Sequence, residues 1–318
     1  MKCRWRQAVI VPFMLVLLFV PLQALAAKKL IPMGEAIGIQ LQLSHVFIAH
    51  DVLLSSDKWL KGGAIIEKIN DKSVQTVSNA EEVLKQNKSD QLDFAVRNNG
   101  KLQSFVVSSQ EAEQIVSFLK DETDGVGTLT YIDPETNNYG ALGHQIIDSS
   151  IQKAPVFNDG SIFLASIHQI RKSTPGQPGY KISSVEKDQI RLGSIEKNTV
   201  YGIFGQWEAD LQQSLPKAIE IMHEDDIKVG KAEIFTAIEG RKVEKFEIEI
   251  TKAGSDRLEF VVTDQQLIEK TGGILQGMSG SPIIQEGRFV GAVTHMFVEE
   301  PKKGAAISVV EMLEKSAS

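Results

Sequence analysis

Seven residues, Gln276-Gly277-Met278-Ser279-Gly280-Ser281-Pro282, constrain this chain more than any other stretch. They lie between a strand-like run ending at Asp264 and another at Ile283-Ile284, and they set one hydroxyl among small residues. Glycine on either side lets the backbone turn sharply, so the amides of Gly277 and Ser279 can face one substrate oxygen. The missing Cβ atoms also open a path for a carbonyl carbon to reach Ser279. A Gly/Ser turn leading into a hairpin needs nothing more than this. A nucleophile needs a base and a group to orient it, and the rest of the chain has to supply them.

The fold class follows from the pattern beyond Gly125, where many short strand-like runs alternate with turns, as in a mainly β barrel or sandwich. Gly127 to Ile132 and Tyr139 to Leu142 flank the turn-rich stretch Asp133 to Asn138, and Gly143-His144 follows directly. A histidine at a strand end projects from a barrel rim, where a base has to meet a nucleophile carried by another strand. His45, His50, His168 and His223 read as ordinary strand or surface residues. His295 comes sixteen residues after Ser279, and a hairpin turning at Glu286-Gly287 returns it to the substrate cleft with Thr294. Asp264 ends the strand Leu258 to Asp264 and is the first choice of orienting acid, although it would also cap a helix from Gln265 to Lys270. Asp148 is the second choice. Gly272 and Gly273, just ahead of the nucleophile, predict an uncharged base for the cleft.

The first 122 residues read differently. Lys2, Arg4 and Arg6, the apolar run Ala8 to Val20 and the small-residue site Ala24-Leu25-Ala26 make a three-part export signal over residues 1–26, either cleaved or retained as a membrane anchor. Losing those residues takes the formal charge from −7 to −10 and removes Cys3, the one cysteine. Nucleic acid is then a poor partner, and a cysteine nucleophile, disulfides and a zinc-thiolate site are excluded. No metal or organic cofactor is expected. Residues 27–122 predict a small α+β domain, with a helix from Asn79 to Gln86, a hairpin at Asn98-Asn99-Gly100 and a helix from Glu111 to Lys120. Ala36-Ile37-Gly38-Ile39 and Leu60 to Val74 resemble the carboxylate-binding loop and the following segment of a PDZ domain, with Ala64 and Asp71 departing from the usual aspartate and glycine. The resemblance implies binding of a chain terminus at Ala36, Ile37, Gly38 and Ile39. A second, mainly β domain carrying His144 and Ser279 is expected over residues 123–318.

The order His144, Asp264, Ser279 resembles the chymotrypsin-like peptidases and their double β-barrel. Tyr139 to His144, Thr271 to Ile284, Gly291 to His295 and Tyr201 to Gly205 are similar to the stage IV sporulation protein B peptidases of endospore-forming bacteria. That resemblance implies a signal or anchor, a PDZ domain and a serine endopeptidase with His144, Asp264 and Ser279 as its triad. It further implies export into the space around the forespore, self-cleavage, and cleavage of a membrane-embedded regulator of sigma-factor processing. The alternative is an inactive PDZ scaffold that binds a membrane partner.

Overall fold

The computed structural model describes residues 28–185, 191–209, 215–254 and 257–317; the expected export signal lies outside them. Two β-barrels pack side by side, with a small α+β unit inserted into the first. The second barrel is closed by six antiparallel strands in the order Gly230–Glu239, Lys242–Lys252, Leu258–Val262, Glu300–Ser308, Arg288–Phe297, Pro282–Gln285. Alternation drives it: Phe246, Ile248 and Ile250 point inward while Glu247 and Glu249 stay outside. Each such fully buried side chain contributes about 1.5–3 kcal/mol of apolar transfer, so this strand is fixed in register by its inward face.

The first barrel runs through Lys197–Thr199, Gly202–Gln206, Asn138–Ala141, Leu119–Ile132, Ala36–Ile48 and Phe157–Arg171. Its circuit returns where Ser161 pairs with Ser194, just ahead of Lys197–Thr199. The barrels meet where Ile167 pairs with Gly240 and where Ala237 N–H donates to Gly34 C=O at 3.1 Å.

Two expectations for the N-terminal part need correction. The boundary placed between 122 and 123 falls inside the unbroken strand Leu119–Ile132, and Ala36–Ile48 serves both the barrel and the inserted unit. Ala36, Ile37, Gly38 and Ile39 are likewise not a loop. They are buried strand residues paired on one edge with Gly125–Thr128 and on the other with Ile162–Leu164. A Cβ on Gly38 would lie 2.4 Å from Val185 Cγ2, so no peptide can dock there. The apolar alternation that reads as a loop and strand is one long strand with both edges occupied.

The inserted unit does carry the expected elements. Helices Val77–Gln86 and Ser109–Ser117 cover the sheet of Ile65–Ile69, Gln91–Asn98 and Lys101–Ser108 around Ile48, Leu60, Ile69 and Phe94. Thr76 caps the first helix and Ser108 the second, in a capping box with Glu111. The hairpin turns at Asn99 and Gly100, both at positive φ. The edge facing the first helix is filled by the chain itself: Leu119 and Lys120 pair with Ile48 and Phe47, and Val77 N–H donates to Asp121 Oδ2 at 2.9 Å. An extended peptide would have to displace that strand. Among the described residues, no helix is long and apolar enough to cross a membrane.

Candidate active site

His144 owes its position to two consecutive residues in the left-handed region. Strand Asn138–Ala141 ends at Leu142 and Gly143, with φ of 71° and 68°. A leucine there is strained, and it is held by the bond from its N–H to Thr128 C=O and by a buried side chain. Gly143 lets the turn abut strand Arg288–Phe297, since a Cβ would meet Thr294 Cγ2 at 3.1 Å. His144 emerges half-buried from this corner, and its Nδ1 lies 3.0 Å from Gln145 C=O. A carbonyl only accepts, so Nδ1 is the donor in this contact, and in the neutral ring the lone pair then lies on Nε2.

Ser279 reaches the same place from the second barrel. Helix Gln265–Thr271 stops at Gly272, with φ of 76°, and the loop after it turns at Gly277 and Gly280, with φ of 94° and 95°. Thr128 of the first barrel clamps this loop. Its N–H donates to Ser279 C=O at 3.1 Å, and its hydroxyl donates to Gly277 C=O at 2.8 Å. Sequence reading missed Thr128, because a buried threonine inside an alternating strand carries no signal of its own. With its carbonyls held, the loop presents the N–H groups of Gly277 and Ser279, neither of which donates a hydrogen bond among the described residues. Ser279 and His144 line one open cleft of about 870 Å³. The serine hydroxyl donates to Thr294 C=O at 2.9 Å, and among the described residues no hydrogen bond joins it to His144. Rotation about its Cα–Cβ bond is needed before it can donate to the imidazole, a tightening expected when substrate binds.

The third predicted member is not brought to this pair. Asp264 is the N-cap of helix Gln265–Thr271: Oδ1 accepts from Leu267 N–H at 2.9 Å and Oδ2 from Glu247 N–H at 3.4 Å. Its capping role wins because the helix begins at the next residue and its first amides need an acceptor. Asp264→Ala is expected to lower unfolding stability by about 1 kcal/mol and Asp264→Asn to recover most of that, as read by denaturant melts. Equal stability of all three proteins would remove the cap as the explanation. Asp148, the second choice, lines the cleft but is fully engaged. It accepts from Lys120 Nζ at 2.7 Å, Thr123 Oγ1 at 2.6 Å, Ser150 N–H at 2.8 Å and Ile151 N–H at 3.2 Å. Burial pushes its pKa up, but these donors more than reverse that and hold it below the usual carboxylate range. Thr294 and His295 line the cleft as expected, with the His295 ring 5.6 Å from that of His144. Burial, then the neighbouring His144 and Arg257, lower the His295 pKa and favour its neutral form. Gly273 does not line the cleft: it packs on Pro301, whose carbonyl oxygen would lie 2.3 Å from a Cβ.

A family model described as SpoIVB peptidase S55 matches residues 111–313, a span that contains Thr128, His144, Ser279 and the whole second barrel. The chain belongs to the SpoIVB peptidase S55 family. It is a serine peptidase. The matched span begins within helix Ser109–Ser117, so strand Ala36–Ile48, which builds the first barrel of this S55 peptidase, and strand Lys29–Pro32, which pairs with Leu119–Ile132, lie outside it. Among solved structures, the chain is similar to the Rv3671c protease from M. tuberculosis in its active form, at 13% identity over 61% of this chain and 74% of that one, with a TM-score of 0.37. The inactive form of the same protease gives 14% identity over 60% and 83%, with a TM-score of 0.35. A comparison with curated proteins gave no match.

One buried cation flanks the S55 nucleophile loop. Strand Tyr180–Val185 runs beside it, with Lys181 N–H donating to Gln276 C=O at 3.2 Å and the Lys181 stem lying against Gly277. Lys181 Nζ donates to Thr236 Oγ1 at 3.1 Å, and burial pulls its pKa down to about 7. The unfolded chain holds this proton up to the ordinary lysine range, near 10.5. The unfolded state therefore binds more protons between pH 7 and 10.5, and the penalty for burying Lys181 is largest at and below pH 7. Lys181→Met keeps the stem, loses the charge and leaves the Thr236 hydroxyl unpaired, so it should stabilise by about 2 kcal/mol at pH 7. That advantage should shrink by pH 10. A difference between variant and parent that is the same in denaturant melts at both pH values would exclude a buried charged lysine.

Proposed function

We propose that this S55 peptidase cleaves peptide bonds by attack of Ser279 Oγ on the scissile carbonyl carbon. His144 Nε2 takes the hydroxyl proton as the C–O bond forms. The oxyanion is received by the N–H groups of Gly277 and Ser279, worth about 3–4 kcal/mol per donor in comparable sites. The imidazolium then protonates the leaving amine as the C–N bond breaks, and water hydrolyses the acyl-enzyme by the same route in reverse. The observation that carries this reading is the pair of undonated amides at a positive-φ turn, on a serine that shares its cleft with a tautomer-fixed histidine.

The cleft rim supports an apolar substrate. Ile147, Val200 and Val298 line it while 54%, 63% and 43% exposed, and aliphatic side chains left in water around a reactive serine fit hydrophobic residues beside the scissile bond. Such residues abound where a chain enters a membrane. With the three-part N-terminal signal, this supports an exported enzyme, anchored or released, acting in the space around the forespore. There it cuts itself and a membrane-associated regulator in the pathway to sigma-factor processing. A fluorophosphonate probe should label the parent and leave Ser279→Ala unlabelled; equal labelling of both ends the assignment of Ser279. In sporulating cells, the Ser279→Ala allele should leave the sigma-factor precursor uncut. Processing at the parental rate would remove the signalling part of the reading.

A further inference from the structure

Among the described residues no hydrogen bond joins His144 to a carboxylate, and its Nδ1 partner is the carbonyl of the next residue. That carbonyl orients an imidazole only if the segment carrying it is itself held. Residues 144–147 belong to no strand, so their backbone groups need partners from elsewhere. One side chain provides them. Asn198, on the short strand Lys197–Thr199, accepts from Ile146 N–H at 2.8 Å through Oδ1 and donates to Ile146 C=O at 3.0 Å through Nδ2. The segment returns the contact, with Gln145 Nε2 donating to Asn198 C=O at 3.1 Å. A carboxamide holding both polar groups of one residue reproduces what a neighbouring strand would do. It fixes the peptide units on either side of Ile146, and therefore the direction of Gln145 C=O. Asn198 is tied down in turn by pairing with Ile203 of strand Gly202–Gln206.

We infer that Asn198 is a positioning residue for the peptidase reaction: by clamping Ile146 it aims the Gln145 carbonyl at His144 Nδ1 and so keeps Nε2 available to Ser279. The inference rests on the proposed roles of Ser279 and His144. In this site a clamped main-chain carbonyl does the orienting work for which the sequence suggested an acid. The carbonyl fixes the tautomer as a carboxylate would, and it still accepts from the imidazolium that forms during attack, with a partial rather than a full negative charge.

The test compares the parent with Asn198→Ala and Asn198→Asp in the full chain. Asn198→Ala should lower kcat by about 10- to 100-fold, the scale seen when outer partners of metal-ligating histidines are removed, with KM changed less than about threefold. Asn198→Asp keeps the acceptor for Ile146 N–H but cannot donate to its carbonyl, so it should recover part of kcat. Nitrogen NMR of the His144 ring should show one neutral tautomer, protonated at Nδ1, in the parent and a mixture in Asn198→Ala. A folded Asn198→Ala protein with parental kcat and a single tautomer overturns the inference. So does a loss of kcat with the tautomer unchanged, because the effect is then not carried through His144. If Asn198→Ala does not fold, Asn198→Asp carries the test, and parental kcat in that variant overturns the inference. Turnover by the Ser279→Ala protein at the parental rate would mark failure of the underlying peptidase reading instead, since no Asn198 variant bears on that result.

Discussion

Purified Ser279→Ala protein is expected to fold as the parent does and to turn over protein substrate on the order of 10⁶-fold more slowly, the scale on which removing a nucleophile acts in serine peptidases. The two halves of that expectation have separate causes. Ser279 is half-buried, and among the described residues its hydroxyl makes one hydrogen bond, to Thr294 C=O, so removing it costs at most about 1 kcal/mol of stability. Its backbone is what the fold uses: Ser279 C=O accepts from Thr128, and that bond does not depend on the side chain. Chemistry, by contrast, loses the atom proposed to form the acyl-enzyme. His144→Ala should fall almost as far, and the double variant no further than either single one, because nucleophile and base act as one unit. Additive losses would mean that the two residues serve different steps. Normal substrate cleavage by folded Ser279→Ala would end the proposal.

Ser279 and His144 stand out in the sequence because glycines mark the turns that carry them. Ser279 sits between glycines, and His144 follows a glycine at a strand end. The hairpin turning at Glu286-Gly287 was legible for the same reason, and it does bring Thr294 and His295 into the cleft. What failed was pairing at long range. The alternation in Ala36–Ile48 gives a strand but not which edges are covered, and at Ile37, Gly38 and Ile39 both edges are filled by segments more than 70 residues away. A short resemblance to a binding loop cannot weigh that. Asp264 failed by competition between two uses of one carboxylate. The capping use is local, visible in the helix that follows, and it is the one found. Asn198 and Thr128 gave no signal at all, since a neutral side chain that bonds to distant backbone leaves no pattern along the sequence.

Gly280→Ala is expected to cost on the order of 3–5 kcal/mol of stability and to abolish labelling by an active-site probe, although the added atom is a single methyl. Two penalties meet at this position. The first is conformational: φ is 95°, where a residue with a Cβ is strained by about 1 kcal/mol or more. The second is contact. A Cβ would lie 2.2 Å from Thr128 C=O and 2.6 Å from Leu142 N, and both neighbours are backbone that cannot swing aside. Thr128 is the residue that clamps Gly277 and Ser279, and Leu142 begins the turn that carries His144. Relief of the clash therefore has to part the two barrels at the point where nucleophile and base meet. Gly287→Ala separates the two penalties, since Gly287 has a φ of 75° with no atom within 4 Å of a Cβ. It should lose only the conformational part, about 1 kcal/mol, and label as the parent does. If chemical denaturation gives the two variants equal losses, or if Gly280→Ala still labels at the parental rate, the close approach of the barrels at Gly280 does not set the geometry of the site.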